Sequence, residues 1–221
     1  MSAAGSLEEL RLSLAPAIAG AAAFDGWSEA AVRAAADSLG VSPDLALLAF
    51  DQAEGGNAMA MIAAWIAHTD AAMARALPAA LLAGLPVRER IARLVQFRLD
   101  AVKGREEALR RAMAIMAMPQ NLAASARLGW RSADAMWRLA GDSASDYNYY
   151  TKRLTLAGIY TATLSVFVDD TSEGKADTQA FLDRRIGGVM RFEKAKARLF
   201  SGDSEHFSPA RFLGRLRYPV R

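Results

Sequence analysis

No stretch of this chain alternates apolar and polar residues for long, while apolar side chains recur at helical spacing along alanine-rich runs. A half-buried strand needs a period of two and a half-buried helix a period of 3.6, so the pattern leaves an all-α fold. Residues 6–19 read as a first helix interrupted at Pro16. Ser28 caps a second helix that Gly40 closes. Ser42, Pro43 and Asp44 start a third: a capping side chain, a proline at the first helical position and an acid at the positive end. Gly55-Gly56 breaks the chain. Further helices are expected over 57–76, 87–103, 105–117, 119–128, 132–140, 148–169 and 177–199, with a short one from Ser208 to about Leu216. No Pro/Gly/Ser-rich linker divides the 221 residues, so they read as a single helical domain. Its parts are a head over 1–56, a body over 57–199 and a tail over 200–221.

Hydrophobic residues make up 52% of the chain and the mean hydropathy is +0.07, which leaves apolar surface over once a core is built. No run of about 18 apolar residues is present to span a bilayer. The N-terminal residues have neither a basic-then-apolar signal pattern nor the arginine-rich look of a transit peptide, which points to a bacterial cytoplasmic protein or a processed form. Cysteine is absent, and His68 and His206 are the two histidines. Without thiols or a His-x-x-x-His pair, no transition-metal site and no catalytic cofactor are expected, and a carboxylate-only metal site is the one kind left open. No nucleophile–base pair or phosphate-binding glycine loop argues for an enzyme.

Charge is unevenly spread. From Arg184 onward ten basic residues face three acids, a balance of +7 that leaves −4 on residues 1–183. Two short helices around Gly40 followed by longer ones resemble the helix-turn-helix head and ligand-binding body of TetR-type repressors. A DNA reader must neutralise phosphates. Between Phe24 and Asn57, Arg33 is the one basic residue, against Asp25, Glu29, Asp37, Asp44, Asp51 and Glu54. Pro43 to Phe50, the would-be recognition helix, has no Lys or Arg. The segment is either a retired DNA-binding head or a helical subdomain that never bound DNA; both argue against nucleic acid as a partner.

Three regions carry candidate function. The first is the polar elbow 141–153 between two apolar helices. Ser143, Ser145 and Asp146 can cap the following helix, but capping does not account for Tyr147, Tyr149 and Tyr150 beside Lys152 and Arg153. Aromatics mixed with charge suit an interface. The second is helix 148–169, apolar nearly all round through Leu156, Ile159, Tyr160, Thr163, Leu164 and Phe167. Such a helix is commonly bundle core. Its small residues Ala157, Gly158, Ala162 and Ser165 permit close packing or leave a channel, with Phe181, Leu182, Ile186, Val189 and Met190 as an opposing wall. Met113, Met116 and Met118 supply adaptable lining. The third is the tail, where Phe207, Phe212, Leu213, Leu216 and Tyr218 interleave with Arg211, Arg215, Arg217 and Arg221. That is a basic amphipathic segment suited to a membrane interface, or to packing on the body. Asp169-Asp170-Thr171-Ser172 lacks the spacing of a calcium loop and reads as a helix end followed by a cap.

The ordered series Met136-Trp137, Gly141-Asp142, Ser145-Asp146, Asn148 and Tyr150-Thr151-Lys152-Arg153 continues through Ala157, Ile159-Tyr160, Thr163, Asp169 to Ser172, and Phe181 to Ile186. It resembles the coenzyme Q biosynthesis family named for the ninth protein of that pathway. Phe24-Asp25-Gly26-Trp27 and Val87 to Ile91 extend the likeness upstream, to roughly residues 20–195. The chain departs from the family at Tyr149, where tryptophan is common, and at Phe50-Asp51, where a Phe-Pro turn is usual. The resemblance implies a TetR-like bundle with a degenerate head and a C-terminal amphipathic helix, and an accessory lipid-binding protein rather than an enzyme. It implies that Asp142, Asp146, Asn148, Tyr149, Tyr150 and Arg153 dock a di-iron demethoxyubiquinone hydroxylase. It also implies an isoprenoid or phospholipid ligand held by the residues of helix 148–169 named above, with Trp137, Phe181, Leu182, Ile186 and Met190. Residues 207–218 would touch membrane lipid on the inner face of a bacterial membrane, and the protein would pair as a homodimer. Two rivals remain: a lipid-sensing TetR-type regulator, and a lipid-modifying enzyme using Asp142 and Asp146.

Overall fold

The computed structural model describes residues 3–51, 57–142 and 147–201, with side chains over 7–51, 57–142 and 149–188. In order these are α1 (Ala3–Asp25), α2 (Glu29–Leu39), α3 (Pro43–Phe50), α4 (Asn57–Ala76), α5 (Ala79–Leu82), α6 (Val87–Val102), α7 (Glu106–Met116), α8 (Leu122–Leu139), α9 (Tyr147–Asp169) and α10 (Ala176–Ser201). No strand occurs among the described residues. Asp146, the Gly55-Gly56 break and the tail beyond Ser201 lie outside them, as do the side chains of Asn148, Val189 and Met190.

The head and the body share one apolar core. Leu14 and Ile18 of α1, Val32 of α2 and Phe50 of α3 are buried in the same cluster as Ile62 of α4 and Leu94 of α6. The Trp27 indole donates to the Ala108 carbonyl at 3.0 Å and packs on Trp65 with ring centroids 5.4 Å apart, joining the head to α7 and α4. Gly40 closes α2 in the left-handed region at φ 66°, as expected of a residue without a Cβ. Ser28 and Ser42 occupy the cap positions of α2 and α3, but neither side chain bonds a helix N–H; the Ser28 hydroxyl donates to the Asp25 carbonyl instead.

Two expected helix boundaries are corrected. α1 runs straight through Pro16, which lies inside it. A proline there deprives the carbonyl four residues earlier of its donor. That carbonyl belongs to Leu12, and His68 Nδ1 reaches it at 2.9 Å from α4. The orphaned acceptor is therefore satisfied from outside, which fixes the imidazole with its proton on Nδ1. The second correction joins 119–128 and 132–140 into α8, preceded by a single 3₁₀ turn at Pro119–Asn121. Gly129 costs an α-helix about 1 kcal/mol relative to alanine, too little to break one that buries Ser132, Ala133 and Met136.

α8 ends at a glycine the geometry requires. Gly141 adopts φ 84°, its N–H donates to Arg138 and that of Asp142 to Trp137, closing the helix as a Schellman motif. A Cβ at Gly141 would stand 3.0 Å from Nη1 of Arg90. That guanidinium donates to the carbonyls of Ala83, Leu85 and Ala140, binding the α5–α6 connection to the end of α8.

Candidate functional site

α9 passes between two different environments. Leu156, Tyr160, Thr163 and Phe167 form its buried stripe, in one core with Leu182 and Ile186 of α10. Leu154, Gly158, Thr161 and Ser165 have the same helical spacing two positions out of phase, and all four are exposed. They line a groove whose other walls come from α4, α6, α7 and α8. Its free volume is about 810 Å³, within the range of small-molecule sites.

The groove is largely apolar. Ile62, Trp65 and Ile66 of α4, Leu109, Met113 and Met116 of α7, and Leu122, Leu128 and Trp130 of α8 contribute to it. The small residues Ala157, Gly158, Ala162 and Ser165 do line a channel. Of the residues expected to hold a ligand, Tyr160 and Leu164 lie on the groove. Leu156, Thr163, Phe167, Leu182 and Ile186 are instead buried core. Phe181 and Ile159 are half-buried and do not line it, so the opposing wall expected from α10 is supplied by α4, α7 and α8. Trp137 is half-buried at the joint, its indole donating to the Lys152 carbonyl at 3.0 Å.

A buried ion pair that the sequence reading missed stands in the groove wall. Arg98 of α6 lies in register with Ile91, Leu94, Val95 and Val102, and its side chain is 3% exposed. Its Nη1 donates to Asp70 of α4, whose other carboxylate oxygen accepts from Ser132 of α8 at 3.1 Å. Burial alone would lower the guanidinium's pKa. Tyr160 and Asp70 outweigh that and raise it above its ordinary value, so the group stays cationic. The legible signal was an arginine in the apolar stripe of α6.

The elbow is a tightly knit joint. Arg153 is 2% exposed. It donates to Asp134 at 2.6 Å, to Asp142 at 3.1 Å and to the Tyr149 carbonyl at 3.1 Å, and its guanidinium lies 3.5 Å from the Tyr149 ring centroid. Burial would lower its pKa, but the bonds to the two acids prevail and raise it. Lys152 donates to Asp142 at 2.7 Å, and Asp142's side chain is 5% exposed. Arg153 and Asp142 therefore lock α8 to α9 from within, and as buried groups they present no surface to a partner. Tyr149 is half-buried with its hydroxyl on Asp134 at 3.3 Å. Tyr150 is the outward member, 58% exposed and stacked 5.9 Å from Trp130, with Leu154 62% exposed one turn on.

Asp170 caps α10. It accepts from the backbone N–H and hydroxyl of both Ser172 and Thr178, which holds its pKa well below the usual carboxylate range.

The segment that builds the joint and the open side of the groove decides the kinship. Residues 122–193 match the COQ9 family model. The chain is 34% identical over 173 residues to the ubiquinone biosynthesis protein COQ9, mitochondrial, of Rattus norvegicus, spanning 75% of this chain and 54% of the relative. It is 32% identical to the human protein of the same name over 75% of this chain and 52% of the relative. The chain thus spans about half the length of these curated relatives. The fold is TetR-like: a TetR transcriptional regulator from Nitrosomonas europaea superposes with a TM-score of 0.62 at 24% identity, covering 82% of this chain and 98% of the regulator. No helix among the described residues is long and apolar enough to cross a membrane.

Proposed function

We propose that this chain is an accessory protein of ubiquinone biosynthesis that takes isoprenoid quinone intermediates from a membrane and presents them to the demethoxyubiquinone hydroxylase. The observation that carries the reading is the open apolar groove of about 810 Å³ lined by the COQ9-like segment. A polyprenyl chain buried there gains about 0.8 kcal/mol for each methylene removed from water. The protein's contribution would be delivery of an insoluble substrate; bond-making belongs to the hydroxylase.

The exposed pair Tyr150 and Leu154 beside Trp130 offers a docking edge at the mouth of the groove. The basic segment 207–221 is the proposed membrane contact, a peripheral one, and a homodimer is the proposed assembly. Mass spectrometry of lipid extracted from the purified protein tests the central claim. Enrichment of a polyprenyl phenol or quinone over bulk phospholipid is the expected result, and bulk phospholipid alone would refute it. Tyr150→Ala should abolish hydroxylase binding at unchanged helicity, and deletion of 207–221 should abolish co-sedimentation with anionic liposomes.

The TetR-like fold gives the regulator reading its one support. The acidic balance around α2 and α3, with Arg33 as the one basic residue from Phe24 to Asn57, opposes it.

A further inference from the structure

One exposed connection is apolar where the surface is ordinarily polar. Residues 76–87, between Arg75 and Arg88, carry no polar side chain. They take in the end of α4, the single turn α5 and the entry to α6. Connecting segments run over the surface and are built from polar residues and turn formers. Here Leu82 is a fully buried peg, while Leu81 and Val87 are 60% and 45% exposed. Pro78, Ala80, Gly84 and Pro86 are exposed with them. A contiguous apolar patch rimmed by charge marks an interaction site.

The backbone of this connection is provided for in surroundings without water. A peptide group moved into an apolar medium must bring its hydrogen-bond partner with it. Pro78 and Pro86 have no N–H to satisfy. The N–H groups of Leu77, Leu81 and Leu85 donate to Met73, Pro78 and Leu82. The Ala83 and Leu85 carbonyls accept from the Arg90 side chain, and the Pro86 carbonyl from the N–H groups of Glu89 and Arg90. The first charges on either side, Arg75 and Arg88, are both positive and both exposed. α10 passes alongside: a Cβ on Gly187 would stand 3.7 Å from Nη2 of Arg88. The stretch of the chain with a balance of +7 begins just before that point, at Arg184.

We propose that residues 76–87 are a membrane foot on the body of the protein. Leu81 and Val87 enter the boundary between headgroups and acyl chains of an anionic bilayer, and Arg75 and Arg88 meet lipid phosphates. The foot rests on the reading of this chain as a peripheral membrane protein and adds a second contact to the tail. A tail alone tethers a protein, whereas a second, fixed point gives it an orientation. Arg90 ties this connection to the Ala140 carbonyl at the end of α8. A foot held at the bilayer therefore sets the direction in which the α8–α9 joint and Tyr150 face. One weak anchor holds a protein to a membrane only marginally, so loss of either contact should release it.

The chain has no cysteine, so Leu81→Cys gives the full-length protein a single attachment point for an environment-sensitive NBD fluorophore. Leu45→Cys, on the exposed face of α3, is the control. With vesicles of phosphatidylcholine and phosphatidylglycerol, emission from position 81 should shift to the blue, brighten and be quenched by nitroxide-labelled acyl chains. Position 45 should not respond. Leu81→Asp/Val87→Asp should bind the same vesicles at least about tenfold more weakly. Both side chains are exposed, so helicity and melting temperature should stay native. Silence at position 81 while the protein co-sediments would overturn the foot and leave the tail as the contact. Failure of the native protein to co-sediment with anionic vesicles would remove the membrane reading and the foot together. A response at position 81 to rising protein concentration or to the hydroxylase, with none to vesicles, would assign the patch to a protein interface and overturn the foot.

Discussion

The two faces of α9 have the same helical spacing and opposite fates. Leu156, Tyr160, Thr163 and Phe167 are buried; Leu154, Gly158, Thr161 and Ser165 are exposed along a groove. Hydropathy does not separate them cleanly, since each stripe holds a leucine and a threonine. Size does. The buried stripe has two aromatic rings that reach its neighbours, whereas Gly158 and Ser165 stop short. An added Cβ at Gly158 would meet nothing within 4 Å. A helix can therefore serve as core on one side and as the wall of a cavity on the other by withholding volume from one stripe.

The largest break in that comparison is Phe167→Ala. Removing a fully packed ring should lower unfolding free energy by about 3–5 kcal/mol, read from a urea titration, with groove affinity little changed in the fraction that stays folded. Arg153→Ala leaves Asp134 and Asp142 without their common partner and should cost about 3 kcal/mol in the same titration. If that loss is below about 1 kcal/mol, Arg153 is not the lock between α8 and α9. On the groove side the sign reverses. Gly158→Ala should stabilise by about 0.5–1 kcal/mol, because helix propensity improves and no neighbour objects. Gly158→Leu should weaken binding of the proposed lipid without loss of stability, since its side chain would fill part of the groove.

The smallest effect is read in acid. Asp170 has a depressed pKa in the folded protein, so its stabilising contribution is complete above the unfolded value of about 3.9 and is lost as pH falls through the folded one. Asp170→Asn should flatten the stability profile below about pH 4, and an unchanged acid limb would show that another carboxylate sets it.

Much of this architecture is written in local chemistry. Gly40, Pro43, Pro119 and Gly141 mark helix ends, and the 3.6-residue period marks the helices between them. Pro16 misled because its partner is remote: His68, in another helix, supplies the missing donor. The small residues of α9 allowed close packing or a channel, and a sequence does not say which neighbour a helix turns its thin side toward. Assigning α10 to that wall placed Leu182 and Ile186 at a ligand when they are core. The elbow's residues were legible as a cluster, of which Arg153 and Asp142 turn inward while Tyr150 faces out. Charge and aromatic rings look alike in sequence whether they face solvent or each other, and Arg153 satisfies itself inward. Arg98 could have been found, since a cation at the centre of an apolar stripe must be matched somewhere.

Trp130 belongs to two places at once. Its indole lines the groove and also stands 6.1 and 5.9 Å from the rings of Tyr149 and Tyr150. Trp65 touches the groove too, with Trp27 stacked behind it. The molecule therefore carries its own optical gauge. A quinone entering the groove would dim the emission of Trp65 and Trp130 together, whereas a protein settling on Tyr150 would alter Trp130 alone. Cargo and customer could then be told apart in one cuvette, without a label.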